Sequence, residues 1–197
     1  MKIAAEGRTA LVIGGQGTVG QAIVAALSAS GATVIEASSA KEAVAAASRA
    51  FLFVHISDAV AANLSDPGDG RDEAATFEAT ARAVASSAER IVHVISAAGV
   101  VPLRNAASFS AHQAALASLT RTLAMELAPR VAVNALAVGG VDDAGERFVR
   151  HSPLKRSGTP AEIANAALFL ADPANTYTTG HVMTVDGGWS VGYARDF

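Results

Sequence analysis

The stretch GGQGTVG, Gly14 to Gly20, has the residue types and spacing to hold an anion. Two registers overlap in it: Gly15-x-Gly17-x-x-Gly20 and Gly14-x-x-Gly17-x-x-Gly20. Glycines at these places allow a tight turn, let backbone approach a pyrophosphate, and let a following helix pack against the preceding strand. The helix N-terminus then presents free N–H groups to the phosphates. The chemistry implied is dinucleotide binding through Gly14, Gly15, Gln16, Gly17, Thr18, Val19 and Gly20; the alternative is a structural turn with no nucleotide bound. An acidic residue closing the second strand would hold the adenine ribose hydroxyls, and a nearby Arg would favour a 2′-phosphate. Glu36 stands two residues before that place and is followed by Ser38 and Ser39, so NAD and NADP are both open.

The turn needs a strand before it and a helix after it. TALVIGG is an apolar run ending in glycines, and TVGQAIVAALSASGA repeats apolar residues at helical spacing until Gly31 closes it. TVIEA reads as a strand, SAKEAVAAASRA as a helix and FLFVHIS as a buried strand. DAVAANLSDPGDGRD, Asp58 to Asp72, collects Asp, Gly, Pro and Asn and predicts a surface loop. Then come helix EAATFEATARAVASSAER, strand IVHVI, a long helix around Phe109, strand VAVNALA, a Gly-, Asp- and Arg-rich loop, helix PAEIANAALFLA and strand VMTV. About six strands alternating with helices predict an α/β fold: a Rossmann-like, doubly wound parallel sheet with helices on both faces, in a single NAD(P)-binding domain over residues 1–197.

At 197 residues the chain suits one domain with a real core. No apolar run approaches the ~20 residues of a membrane span, and the N-terminal stretch lacks a signal peptide's regions, which makes the cytoplasm the expected location. The absence of cysteine excludes disulfides, thiolate catalysis and thiolate metal sites. A net charge of −3 argues against nucleic acid as a partner. The short basic run ERFVRHSPLKR, Glu146 to Arg156, reads as a solvated loop ahead of an anion-binding flap.

From GGQGTVG through IVHVISAAGVVPL, FSAHQAALASLTRTLAMELAP, VAVNALAVGG, PLKRSGTPAEIANAALFLA and TTGHVMTVDGG, the chain resembles the short-chain dehydrogenase/reductase family. The resemblance implies NAD(P)(H) and hydride transfer to or from a carbonyl or alcohol carbon of a small-molecule ligand. It also implies a site of Ser, Tyr, Lys and Asn. In that site Tyr exchanges a proton with the substrate oxygen, the Lys charge lowers the Tyr pKa and Ser orients the oxygen. Tyr and Lys four apart share a helical face.

Carried over residue by residue, Ser96 matches the family's Ser. Where YSASKAAL is typical the chain has FSAHQAAL, so Phe109 stands at the Tyr position and Gln113 at the Lys position. No Asn counterpart lies between Gly68 and Glu78; HISD, His55 to Asp58, replaces the turn that backs the cofactor; and Val138-Gly139 replaces the PG turn near the nicotinamide. The chain is short of the family by one strand–helix unit in its first half, and the substrate-covering segment after Gly139 is reduced. The resemblance places Tyr177, Tyr193, Lys2, Lys41 and Lys155 in segments away from the long helix, leaving His112 as the sole titratable newcomer on that helix near the site.

The expectation is therefore a family member with a degenerate site and weak or no ordinary dehydrogenase activity. It would act as a binding or partner subunit in a homotetramer or homodimer, or in a hetero-oligomer with an active homologue. Two alternatives stand beside it: an active oxidoreductase using Ser96 with His112 or water, and a non-redox acid–base enzyme on the same scaffold.

Overall fold

The central strand runs are too apolar to leave one face in water, and they are buried on both sides. The computed structural model describes residues 1–61 and 71–191. Six strands form one parallel sheet in the order β2-β1-β3-β4-β5-β6. They are β1 (Thr9–Ile13), β2 (Thr33–Ala37), β3 (Ala50–Ile56), β4 (Arg90–Ser96), β5 (Ala132–Val138) and β6 (Val182–Val185). The doubly wound α/β reading is borne out, and among the described residues β2 and β6 are the edge strands.

Helices α1 (Thr18–Ala29) and α7 (Pro160–Ala171) pack together on one face. Their apolar residues Ile23, Leu27, Ile163 and Leu168 meet Leu52, Val54, Val92 and Leu136 of the sheet. The other face carries α2 (Ala40–Ala46), α4 (Arg71–Val84) and the long α5 (Ala107–Leu127), over a core of Leu11, Phe53, Phe77, Ile91, Leu123 and Val133. Thr159 caps α7: its hydroxyl accepts from the Glu162 N–H while Glu162 accepts from the Thr159 N–H, with Pro160 opening the helix.

Two expectations are corrected by packing. The Asp58–Asp72 loop is not all loop: α3 (Asp58–Ala61) begins at once and α4 starts at Arg71, while residues 62–70 lie outside the described residues. Ala59 and Val60 are buried, and burial overrides the turn-forming composition around them. The basic run is not a solvated loop either. Its first half forms α6 (Glu146–His151), and Ser152 is fully buried, donating from its hydroxyl to the Gly187 carbonyl at 2.9 Å.

Candidate nucleotide and substrate site

The chain runs outward from β1 to β2 and then crosses back to β3, so the direction of winding changes beside β1. Ligands of open α/β sheets bind outside the C-terminal strand ends at such a point. There Gly14 has φ +81°, and a Cβ on it would lie 2.5 Å from the Ile56 carbonyl oxygen. A Cβ on Gly20 would strike the Gly14 carbonyl, and one on Gly15 would strike the Glu36 carboxylate. Gly17 is the N-cap of α1 and no side chain caps that helix end, which leaves its first-turn amides to an anion. The turn is thus a backbone-lined cradle that side chains would fill, and it fits a pyrophosphate.

Glu36 reaches this cradle from β2: Gln16 Nε2 donates to its Oε2 at 3.1 Å. Ser38 and Ser39 are used elsewhere. Ser38 donates to Glu42 Oε2 from both its N–H and its hydroxyl at 2.8 Å, and the Ser39 hydroxyl caps α2.

Ser96 ends β4, where its hydroxyl accepts from the Ala98 N–H at 3.2 Å. It lines a cleft of about 490 Å³ together with Arg104, Gly139, Phe148, His151 and Trp189. The rings of Phe148 and Trp189 stack at 6.2 Å between centroids and form an apolar wall. Gly139 cannot carry a side chain, because a Cβ would lie 2.7 Å from Asp186 and 2.8 Å from the Phe148 ring.

The three candidates on α5 do not line this cleft. Phe109 packs on Ala59, Ala98 and Ala106. Gln113 is fully buried; its Oε1 accepts from the Ser96 N–H at 2.7 Å and its Nε2 donates to Ser57 Oγ at 3.2 Å. His112 Nε2 lies 2.8 Å from Glu73 Oε2 on α4, and both side chains are largely buried. The other Oε of Glu73 accepts from the Asp58 N–H at 3.0 Å. Lys2, Lys41, Lys155 and Tyr177 are all exposed and line no part of the cleft, and Tyr193 lies outside the described residues.

Sequence reasoning missed His151, Arg104, Phe148 and Trp189. Only the reduced segment after Gly139 hinted at the α6 residues, and the composition of that segment reads as loop. Glu73 carries no sequence signal of its own, since the family resemblance points to an Asn on that helix and not to a carboxylate. His55 and Ile56 belong to β3 rather than to the HISD turn, which begins at Ser57.

A family model described as enoyl-(acyl carrier protein) reductase matches residues 73–190. The chain belongs to the short-chain dehydrogenase/reductase family, for which NAD(P) is the implied cofactor. It is 43% identical over 122 residues to galactitol 2-dehydrogenase (L-tagatose-forming) of Cereibacter sphaeroides, covering 55% of this chain and 48% of the relative. It is 40% identical over 107 residues to the 3-oxoacyl-[acyl-carrier-protein] reductase of Synechocystis, covering 50% of this chain and 43% of the relative. The chain thus spans less than half the length of these curated relatives. A short-chain dehydrogenase/reductase of Brucella melitensis superposes with a TM-score of 0.79 at 26% identity, over 96% of this chain and 99% of that one. Among the described residues no helix is long and apolar enough to cross a membrane.

Proposed function

We propose that residues 1–197 form one domain that binds NAD(H) at Gly14 to Gly20 and runs ordinary carbonyl–alcohol interconversion weakly or not at all, serving as a binding or partner subunit. Gly14, Gly15 and Gly20 would admit the pyrophosphate and the α1 amides would hold it, with Gly139 beside the nicotinamide. The Glu36 carboxylate at the cradle supports NAD(H) over NADP(H), since a 2′-phosphate there would meet a like charge. When bound, the nicotinamide supplies or takes up a hydride.

What this chain's residues would do is orient and exclude water rather than move a proton. Ser96 faces the cleft and could hold a substrate oxygen. The observation that carries the reading is Gln113: at the place of the family's lysine stands a fully buried amide joining Ser96 to Ser57, uncharged and absent from the cleft wall. Phe109 has no hydroxyl. General acid–base catalysis supplies roughly 10²–10⁴-fold in rate, so its loss leaves carbonyl reduction slow even with cofactor in place. Partner contact is supported by exposed Met125 on α5, exposed Phe169 on α7 and the outer edge of β6, which pairs with no further strand among the described residues. A second copy or an active homologue would cover them.

Calorimetry with NAD⁺, NADH, NADP⁺ and NADPH, paired with turnover assays over a ketone and alcohol panel, tests the proposal. Binding without turnover is expected; robust turnover abolished by Ser96→Ala would end it. A second reading, an oxidoreductase or acid–base enzyme with a proton donor foreign to the family, has one observation behind it: His151 and Ser96 line the same cleft. His112 serves that reading poorly, being held by Glu73 and absent from the cleft wall. Turnover lost in His151→Gln but kept in His112→Gln would favour it.

A further inference from the structure

His55 and His93 are registered neighbours on β3 and β4, so both rings leave the same face of the sheet, and their centroids lie 5.0 Å apart. That face is otherwise built of Phe53, Ile91 and Phe77, and Phe77 stacks on His93 at 3.8 Å. Glu73 comes down from α4, and one donor atom from each of His55, His93 and Glu73 lies within 4.8 Å of the other two. All three residues are buried.

We propose that His55, His93 and Glu73 form a buried site for a single divalent transition-metal ion of the Zn²⁺ class. The Thr120 hydroxyl donates to the Leu116 carbonyl at 3.0 Å, which leaves its oxygen to accept from His93 Nδ1–H at 3.2 Å. His93 Nε2 then carries a lone pair, and it is buried without a hydrogen-bond partner; so is His55 Nδ1. Native interiors seldom leave buried polar atoms unsatisfied, and two neighbouring imidazoles with an unsatisfied nitrogen each, beside a carboxylate, make a ligand set. A fixed acceptor behind one ring nitrogen with the other nitrogen free is the arrangement that orients a metal-binding histidine. Burial pushes the His55 pKa down to about 4 and His93 well below its ordinary value, so both rings are neutral near pH 7.

The carboxylate is oriented in the same manner, by the Asp58 N–H on one oxygen and by His112 on the other. Around a tetrahedral Zn²⁺ with bonds of ~2.0–2.1 Å, donors sit roughly 3.4 Å apart, so side-chain rotation of about an ångström would close the site. Two histidines and one carboxylate leave the fourth position to water. The ion would pin α4 to β3 and β4, close in sequence to Ser57 and Ser96.

The test is titration of the chelator-stripped full chain with Co²⁺ and with Zn²⁺, read by calorimetry, thermal shift and the visible Co²⁺ spectrum. The expected result is one equivalent bound, a melting temperature that rises with metal concentration, and a Co²⁺ spectrum of low coordination number. Glu73→Gln keeps an acceptor for the Asp58 N–H and a polar partner for His112, and is expected to weaken binding at least ~10-fold. His55→Phe, which suits the aromatic cluster, is expected to abolish binding, and exposed His181→Gln to leave it unchanged. No saturable one-equivalent binding, or binding undiminished in Glu73→Gln, would overturn the proposal. Should His55→Phe fail to fold, Glu73→Gln and its Co²⁺ spectrum decide alone.

Discussion

The Gln113 side-chain carbonyl accepts a hydrogen bond from the Ser96 backbone N–H at 2.7 Å, while its amide donates to Ser57 Oγ, so one buried side chain of α5 joins the ends of β3 and β4. Restoring a lysine there is consequently no simple repair. Lysine has donors and no acceptor, so Gln113→Lys leaves the Ser96 N–H buried and unsatisfied. A loss of about 1–3 kcal/mol in urea unfolding is expected, with a similar loss for Gln113→Ala. Unchanged midpoints in both variants would show that the amide is not holding the strand ends.

The glycines of the cradle should separate stability from binding. In Gly20→Ala the new methyl meets the backbone of Gly14 and Gly15, which cannot move aside cheaply, so the fold itself is destabilised. In Gly15→Ala its close contact is with the end of the Glu36 side chain, which can swing away, while Val24 Cγ2 lies at ordinary van der Waals distance. This variant should unfold near the wild-type midpoint yet bind NAD(H) at least ~10-fold more weakly, because backbone can no longer approach the pyrophosphate. Calorimetry on the folded variant reads the difference directly.

Nucleotide preference is expected to follow Glu36. Its side chain is exposed and bonded to Gln16, so Glu36→Ser should leave stability unaltered. The ratio of NADP(H) to NAD(H) affinity should rise by about tenfold or more, as a like charge facing the 2′-phosphate is removed. Equal ratios before and after the change would detach specificity from this residue.

Acid should loosen α7 at its first turn. The Arg156 guanidinium, with help from the Thr159 N–H, holds the Glu162 pKa at about 2, below its ordinary 4.5. Because the folded-state value is the lower one, the contribution is fully present above pH 4.5 and is lost as pH falls toward 2. Thr159→Ala removes the cap and should cost ~1 kcal/mol at neutral pH. Glu162→Gln should flatten the stability–pH curve below pH 4.5; an unaltered acid limb would count against the linkage.

The sequence alone was sufficient for the doubly wound sheet, because local patterns set it: TVIEA and VMTV are β2 and β6 to the residue, and PAEIANAALFLA is α7 with its cap written beside it in Thr159 and Glu162. It also showed that Phe109 and Gln113 bring no phenol or ammonium to α5. Tertiary structure decided what those positions do instead, which side chains reach the cleft, and that α6 is helical. Ser96, Arg104 and the α6 pair Phe148 and His151 come from three parts of the chain, and only the packing of the sheet and helices brings them to one cleft. The same holds for His55, His93 and Glu73: side-by-side strands and a helix across them create their proximity, and strand register is a property of the packed sheet rather than of any local run.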